Sequence, residues 1–431
     1  MLDARFGITV VVGSTIGAGI LRTPGSVAQL AGTSRLVLAV WILGGCYVLL
    51  AANCLSEIAT MLPRAGGPYV YARRAFGQTG GFIVGATDWL LNTAAIAFLA
   101  VALAEYSARV LGSVAPRLAV ISGAVLLLFA LINGLGLRSS GIVQHGTTAL
   151  KALAMLAFVV LCFVVGGTHA PATAPTTNAP VGTGSASSLL LAFQLVLGAY
   201  GGWNAAVYFA EEDRAPARNL PISLFGGILV IAVLYALING TLLAVLPFHE
   251  LGASTLPAAD AIGRLVGREG SQVVAAFSIL FLLSIINAGF LTTPRTLFAL
   301  GRDGLLTRRL AAVSSSGVPA AALLVTALVA IVLAITGTFE GLLAFYASVG
   351  IVLNLTLTMA LFVLRKREPL LHRPFRVRGY PYSAACMFAI DSSLLVLLTM
   401  QNPRNSWLLV LVALAGLAAV RASLVPCVVS A

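Results

Sequence analysis

Gly13-Ser14-Thr15-Ile16-Gly17-Ala18-Gly19-Ile20 interrupts the first apolar stretch of this chain. Glycine in a helix interior costs roughly 1 kcal/mol against alanine, so this stretch is weakest at its middle. A second interruption, Gly198-Ala199-Tyr200-Gly201-Gly202-Trp203-Asn204-Ala205, falls in the sixth apolar stretch. Taken singly, either break reads as close helix packing as readily as a site, because Gly13-x-x-x-Gly17 is also a small-residue packing pair. At matching places in two halves of a membrane chain, the two together point to a transport site.

The solvent of this chain is lipid. Its 431 residues are 59% hydrophobic and 9% charged, whereas soluble domains are about a quarter charged. Spanning helices need about 20 apolar residues, and twelve such segments are expected, at 5–30, 36–62, 80–112, 118–136, 141–167, 188–211, 219–247, 270–300, 318–336, 339–364, 380–400 and 405–424. Backbone groups in hydrocarbon must pair internally, which makes this an all-α membrane protein. The net charge of +12 sits mainly in short loops. With the N-terminus in the cytoplasm, seventeen Lys and Arg fall on the cytoplasmic side and seven outside. That bias predicts a multi-pass protein of the cell membrane (plasma or inner) with both termini cytoplasmic. It makes membrane lipid the partner and excludes nucleic acid. Arg365–Arg378 carries six cations and reads as a topology anchor before it reads as a contact to anionic headgroups.

Five is an odd number of crossings, so spans 1–5 (5–167) and spans 6–10 (188–364) run in opposite senses and form an inverted repeat. Spans 380–400 and 405–424 are accessory, and residues 1–431 form one transporter domain. An unwound helix centre frees N–H groups that suit a carboxylate and carbonyls that suit an ammonium group. Lys151 lies about 15 Å into span 5, and an ionisable residue at that depth is a functional candidate for proton or ion coupling. Glu57, Asp88 and Glu105 are placed toward span ends as interface residues. Glu211-Glu212-Asp213 is a candidate partner for Arg64, Arg73 or Arg74 at an inner gate, or else a solvated turn. Asn287 faces the site or a neighbouring helix. The four histidines and five cysteines show no metal-ligand spacing, and there is no nucleophile–base pair or phosphate-binding loop. No catalytic residue, metal, cofactor or enzymatic activity is therefore expected.

The chain resembles the amino acid–polyamine–organocation permeases, in particular their bacterial amino-acid and L-type-exchanger branch. The resemblance rests on Gly13 to Pro24, on Pro63-Arg64-Ala65-Gly66-Gly67-Pro68-Tyr69-Val70-Tyr71, on Ala149-Leu150-Lys151-Ala152-Leu153 and on Ala199-Tyr200-Gly201-Gly202-Trp203-Asn204. It continues through Glu211-Glu212 to Asn219-Leu220-Pro221, and through Thr292-Thr293-Pro294-Arg295 to Arg302-Asp303-Gly304. It covers essentially the whole chain. It implies the LeuT-like 5+5 inverted repeat, which is itself a standard illustration of broken-helix sites, with helices 1 and 6 broken. It also implies a substrate carboxylate on the N–H groups of Gly17, Ala18 and Gly19, and an amine near the carbonyls of Thr15, Ile16, Gly198 and Ala199. Tyr200 and Asn204 complete the expected lining. Lys151 would stand where sodium sits in sodium-coupled relatives. Gly198 departs from the bulky aromatic that caps the substrate in such exchangers, so the cap is either missing, with a roomier pocket, or supplied elsewhere by Tyr200 or Trp203. Animal exchangers of this branch join a glycoprotein through an external cysteine. None lies at 112–118, so no disulfide-linked partner is expected.

These readings predict a secondary active amino-acid transporter that works by alternating access, as proton-linked symport or as exchange. Two alternatives stay open: a polyamine or organic-cation transporter of the same fold, and a non-transporting amino-acid sensor.

Overall fold

The computed structural model describes residues 3–64, 66–111, 118–135, 150–151, 153–164, 184–314 and 317–401. These residues are helical throughout, with no strand among them. In order they form α1 (Ala4–Thr15), α2 (Ala18–Ala31), α3 (Ser34–Met61), α4 (Pro68–Leu111), α5 (Leu118–Gly134) and α6 (Leu153–Val164). Next come α7 (Ala186–Ala199), a 3₁₀ helix (Ala205–Glu212), α8 (Pro216–Val245), α9 (Phe248–Ala253), α10 (Pro257–Val266) and α11 (Arg268–Arg302). A 3₁₀ turn (Arg308–Ala311), α12 (Ala320–Thr336), α13 (Phe339–Arg367) and α14 (Tyr382–Gln401) complete the described chain.

Six helices (α3, α4, α8, α11, α13 and α14) are long and apolar enough to cross a membrane. The pair α1–α2, bent by 49°, makes a seventh, and α5, α6, α7 and α12 are shorter apolar helices. Leucines and valines on α5, α8 and α12 point outward, among them Leu128, Leu131, Leu229, Val233, Leu328 and Val332. Such continuous apolar faces mark a surface in contact with lipid. The expected span 405–424, the stretch 141–149 and the loop 112–117 lie outside the described residues. One boundary moves: the third span is preceded by a helical stretch from Pro68, set off at Gly77, whose φ of 80° interrupts α4.

Two packed groups hold the site between them. In one, α1 and α3 lie along α8, and α2 lies along α7. In the other, α4 lies along α11 and α13, and α5 lies along α12. Two large hydrophobic clusters fill the interior: one holds Trp41, Tyr235 and Val196 and extends to Val349–Leu364 of α13, and the other holds Ile96, Phe98 and Ile286.

Candidate functional site

α1 stops at Thr15 because Ile16 turns to an extended conformation (φ −71°, ψ 104°). The Ile16 N–H still donates to the Val12 carbonyl at 3.0 Å. An unbroken helix would next bond the Gly17 N–H to the Gly13 carbonyl. Here Lys151 Nζ donates to that carbonyl instead, at 3.0 Å, with its side chain fully buried. α2 restarts at Ala18 behind Gly17, with no side-chain cap. Its first backbone bond runs from the Leu21 N–H to the Gly17 carbonyl, at 3.4 Å. The N–H groups before Leu21 therefore form an open helix N-terminus with partial positive charge.

The second break is longer. α7 ends at Ala199, turns through Tyr200–Asn204, and resumes as the 3₁₀ helix. Gly202 makes the turn at a φ of 94°, a region that favours glycine. A Cβ there would also lie 2.6 Å from the Ser14 carbonyl oxygen. A Cβ on Gly19 would lie 2.5 Å from the Ala199 Cα. Bare glycine backbone at both places lets the two breaks touch. Tyr235 of α8 joins them, its buried hydroxyl lying 2.9 Å from the Thr15 carbonyl and 3.0 Å from the Ala199 carbonyl. A hydroxyl carries one hydrogen, so it donates to one of these at a time. Each carbonyl keeps a second lone pair for another donor.

One cavity opens on both breaks. Ser14, Thr15, Gly17 and Gly19 line it from the first, and Gly198, Ala199, Gly201, Gly202 and Asn204 from the second. Asn92 and Phe98 of α4, Ile285 and Thr292 of α11, and Phe339, Leu343 and Tyr346 of α13 form the walls. Thr15, Gly17, Gly19, Gly198, Ala199 and Asn204 are thus brought together. Ile16 is buried and does not line the cavity. Ala18 opens α2. Tyr200 turns away: its hydroxyl donates to the Trp41 carbonyl at 3.3 Å, and its ring packs on Tyr235 with centroids 5.0 Å apart. Trp203 lines a neighbouring cavity. Neither aromatic replaces the side chain missing at Gly198. That space borders Leu343, whose Cδ1 lies 3.1 Å from where a Gly198 Cβ would be. The apolar cover comes from α13, together with Phe98 of α4. Tyr235 and Leu343 went unnoticed in the sequence because each sits in an ordinary apolar helix pattern.

The acidic residues sit differently from the sequence-based expectation. Glu57 and Asp88 are fully buried within the protein. Glu57 accepts from Arg365 Nε at 2.8 Å and from the Val377 N–H at 2.7 Å, and Arg373 lies 3.2 Å away. Part of the basic segment 365–378 is therefore a buried structural anchor. Asp88 accepts from the Tyr208 hydroxyl at 2.7 Å and the Thr296 hydroxyl at 3.3 Å. Glu212 pairs with Arg295 and Glu211 lies 3.7 Å from Arg302, so their cationic partners come from α11. Arg73 instead joins Asp303, and Arg74 joins Glu368. Asn287 accepts from Asn133 at 3.0 Å and so faces a helix neighbour. Toward the end of α4 at Leu111, Arg22 pairs with Glu105 at 2.6 Å. Its guanidinium lies 3.9 Å over the ring of Phe339, which lines the cavity.

Comparison with known proteins identifies the family of the chain. The amino acid permease family model matches residues 8–420. The b(0,+)-type amino acid transporter 1 of Mus musculus is 30% identical over 86% of this chain and 77% of its own length. The serine/threonine exchanger SteT of Bacillus subtilis is 27% identical over 96% of this chain and 94% of its own. The Asc-type amino acid transporter 1 of Mus musculus is 30% identical over 86% and 71%. With the match running through both helix breaks and nearly the whole length, this multi-pass membrane protein belongs to the amino acid permease family.

Proposed function

We propose that the chain is a secondary active amino-acid exchanger that works by alternating access, with its substrate held between the two breaks. The open N-terminus of α2 takes the α-carboxylate at Gly17, Ala18 and Gly19. Carbonyls at Thr15, Gly198 and Ala199 take the α-ammonium group, and Asn204 completes the polar lining. The observation that carries this reading is the single cavity on which an uncapped helix start and a carbonyl-rich break converge. Binding a zwitterion there requires no charged side chain, only the backbone that breaking the helices releases.

The reading extends to the twelve-span arrangement, with both termini cytoplasmic and repeats at 5–167 and 188–364. Breaks at Ile16–Gly17 and Tyr200–Asn204, in the first and sixth spans, support it. Alternating access then moves α1, α2, α3, α7 and α8 against α4, α11 and α13. Arg22–Glu105 closes the external side over Phe339, and Glu212–Arg295 closes the cytoplasmic side. Lys151 holds the first break open by occupying the Gly13 carbonyl, a fixed cation in place of a bound metal ion. Exchange is preferred to proton symport because the bacterial relative aligned over nearly its whole length is an exchanger. The test is counterflow in proteoliposomes. Preloaded amino acid should drive uptake of labelled amino acid without a pH gradient. Uptake that requires an inward proton gradient would establish symport, and ligand binding without uptake would establish a sensor.

A further inference from the structure

Among the described residues three carboxylates are fully buried: Glu57, Asp88 and Asp391. Glu57 lies between two arginines. Asp88 receives only neutral donors, from Tyr208, Asn92 and Thr296, and no cationic side chain among the described residues pairs with it. Neutral hydrogen bonds orient a carboxylate, but a charge in this interior still calls for a counter-charge. Asp88 lines a second cavity on the other side of the second break, where Tyr47, Trp203, Asn204 and Asn354 also face inward. Aromatic faces and amide oxygens are surfaces that receive cations. The two cavities share Asn92, Gly201, Gly202, Asn204 and Tyr346. Asn92 stands one helical turn from Asp88, about 6 Å along α4. The four-carbon stem of a lysine covers a comparable length.

We propose that the second cavity is a side-chain subsite for the distal cation of a basic amino acid, with the Asp88 carboxylate as its counter-charge. The inference rests on the amino-acid reading above. The α-carboxylate and α-ammonium groups stay at the breaks. The side chain passes beside Asn92 and the bare backbone of Gly201–Gly202, and its terminal ammonium or guanidinium meets Asp88. Asp88 lies outside the backbone receptor, so it selects among amino acids without holding their common part.

Norleucine is lysine without its terminal amine, so the pair isolates the charge. Proteoliposomes preloaded with either amino acid are assayed for uptake of both in labelled form. The wild type should take lysine at least as well as norleucine. Asp88→Asn should lower the lysine-to-norleucine ratio by about tenfold or more, as expected when a polar site loses its partner, and Asp88→Glu should keep lysine uptake. Uptake of norleucine but not lysine by the wild type overturns the subsite alone, whatever the fate of the variants. So does an unchanged ratio in Asp88→Asn. A wild type that moves no amino acid overturns the transport reading, and the subsite falls with it.

Discussion

The two helix breaks differ in kind. The first is abrupt: α1 ends at Thr15 and α2 begins at Ala18, with only Ile16 and Gly17 between. The second spreads over Tyr200–Asn204 and continues as a tighter 3₁₀ helix. An abrupt break that restarts as an α-helix presents a bundle of N–H donors. A gradual break keeps short-range bonds, such as Gly201 N–H to the Gly198 carbonyl at 3.0 Å and Ala205 N–H to the Gly202 carbonyl at 3.0 Å. It therefore uses up its donors and leaves the Ala199 carbonyl to Tyr235. The first break has a buried lysine on its Gly13 carbonyl. Among the described residues the second has a neutral tyrosine instead. One break is thus fitted to an anion and the other to hydrogen-bond donors, which together suit a zwitterion.

The largest expected effect comes from prising the breaks apart. Gly19→Val places a Cβ against the Ala199 backbone. Counterflow should fall about 100-fold or more, the scale expected for a misplacement near 1 Å, while the protein still purifies as a folded species. Near wild-type counterflow would show that the breaks need not touch. Tyr235→Phe keeps the ring against Trp41 but removes the hydroxyl shared by Thr15 and Ala199. Leaving buried carbonyls unpaired costs about 1–3 kcal/mol. A lower melting temperature and weaker substrate binding are expected, and a variant unchanged in both would confine Tyr235 to packing. Lys151→Ala removes the cation found only at the first break. The protein should still purify as a folded species while its counterflow falls, and counterflow equal to the wild type's would remove Lys151 from holding the break open. The smallest effect belongs to Arg22→Gln. A partly exposed ion pair contributes about 1 kcal/mol or less, so a change of a few-fold in the external KM is expected, and complete inactivation would give Arg22 a larger role than closing over Phe339.

Much of this was readable in the chain itself. Both breaks follow from glycine spacing in apolar stretches, and Lys151, singled out as an ionisable residue inside a span, is buried against the first of them. What eluded sequence reading depended on tertiary approach. Tyr200 stands in the second break like a cap, yet it ends α7 in helical geometry and its hydroxyl reaches the Trp41 carbonyl. Asp88 and Glu57 look peripheral when span ends are counted from residue 80 or 62. Asp88 is however covered by Tyr208 and Thr296, far along the chain, and the 368–381 segment folds back over Glu57. Charged pairs such as Glu212–Arg295 join residues 83 apart in sequence, and no local pattern announces them.

The central claim is that the two breaks form one receptor that needs both charges of its ligand. The direct measurement is competition for counterflow of labelled L-serine by unlabelled L-serine, ethanolamine and 3-hydroxypropanoate in reconstituted proteoliposomes, after a thermal-shift screen has confirmed that serine binds. Ethanolamine lacks the carboxylate and 3-hydroxypropanoate lacks the ammonium group. Serine should compete and neither analogue should do so at comparable concentration. Competition by either analogue as strong as that by serine would contradict the account, because one break would then suffice.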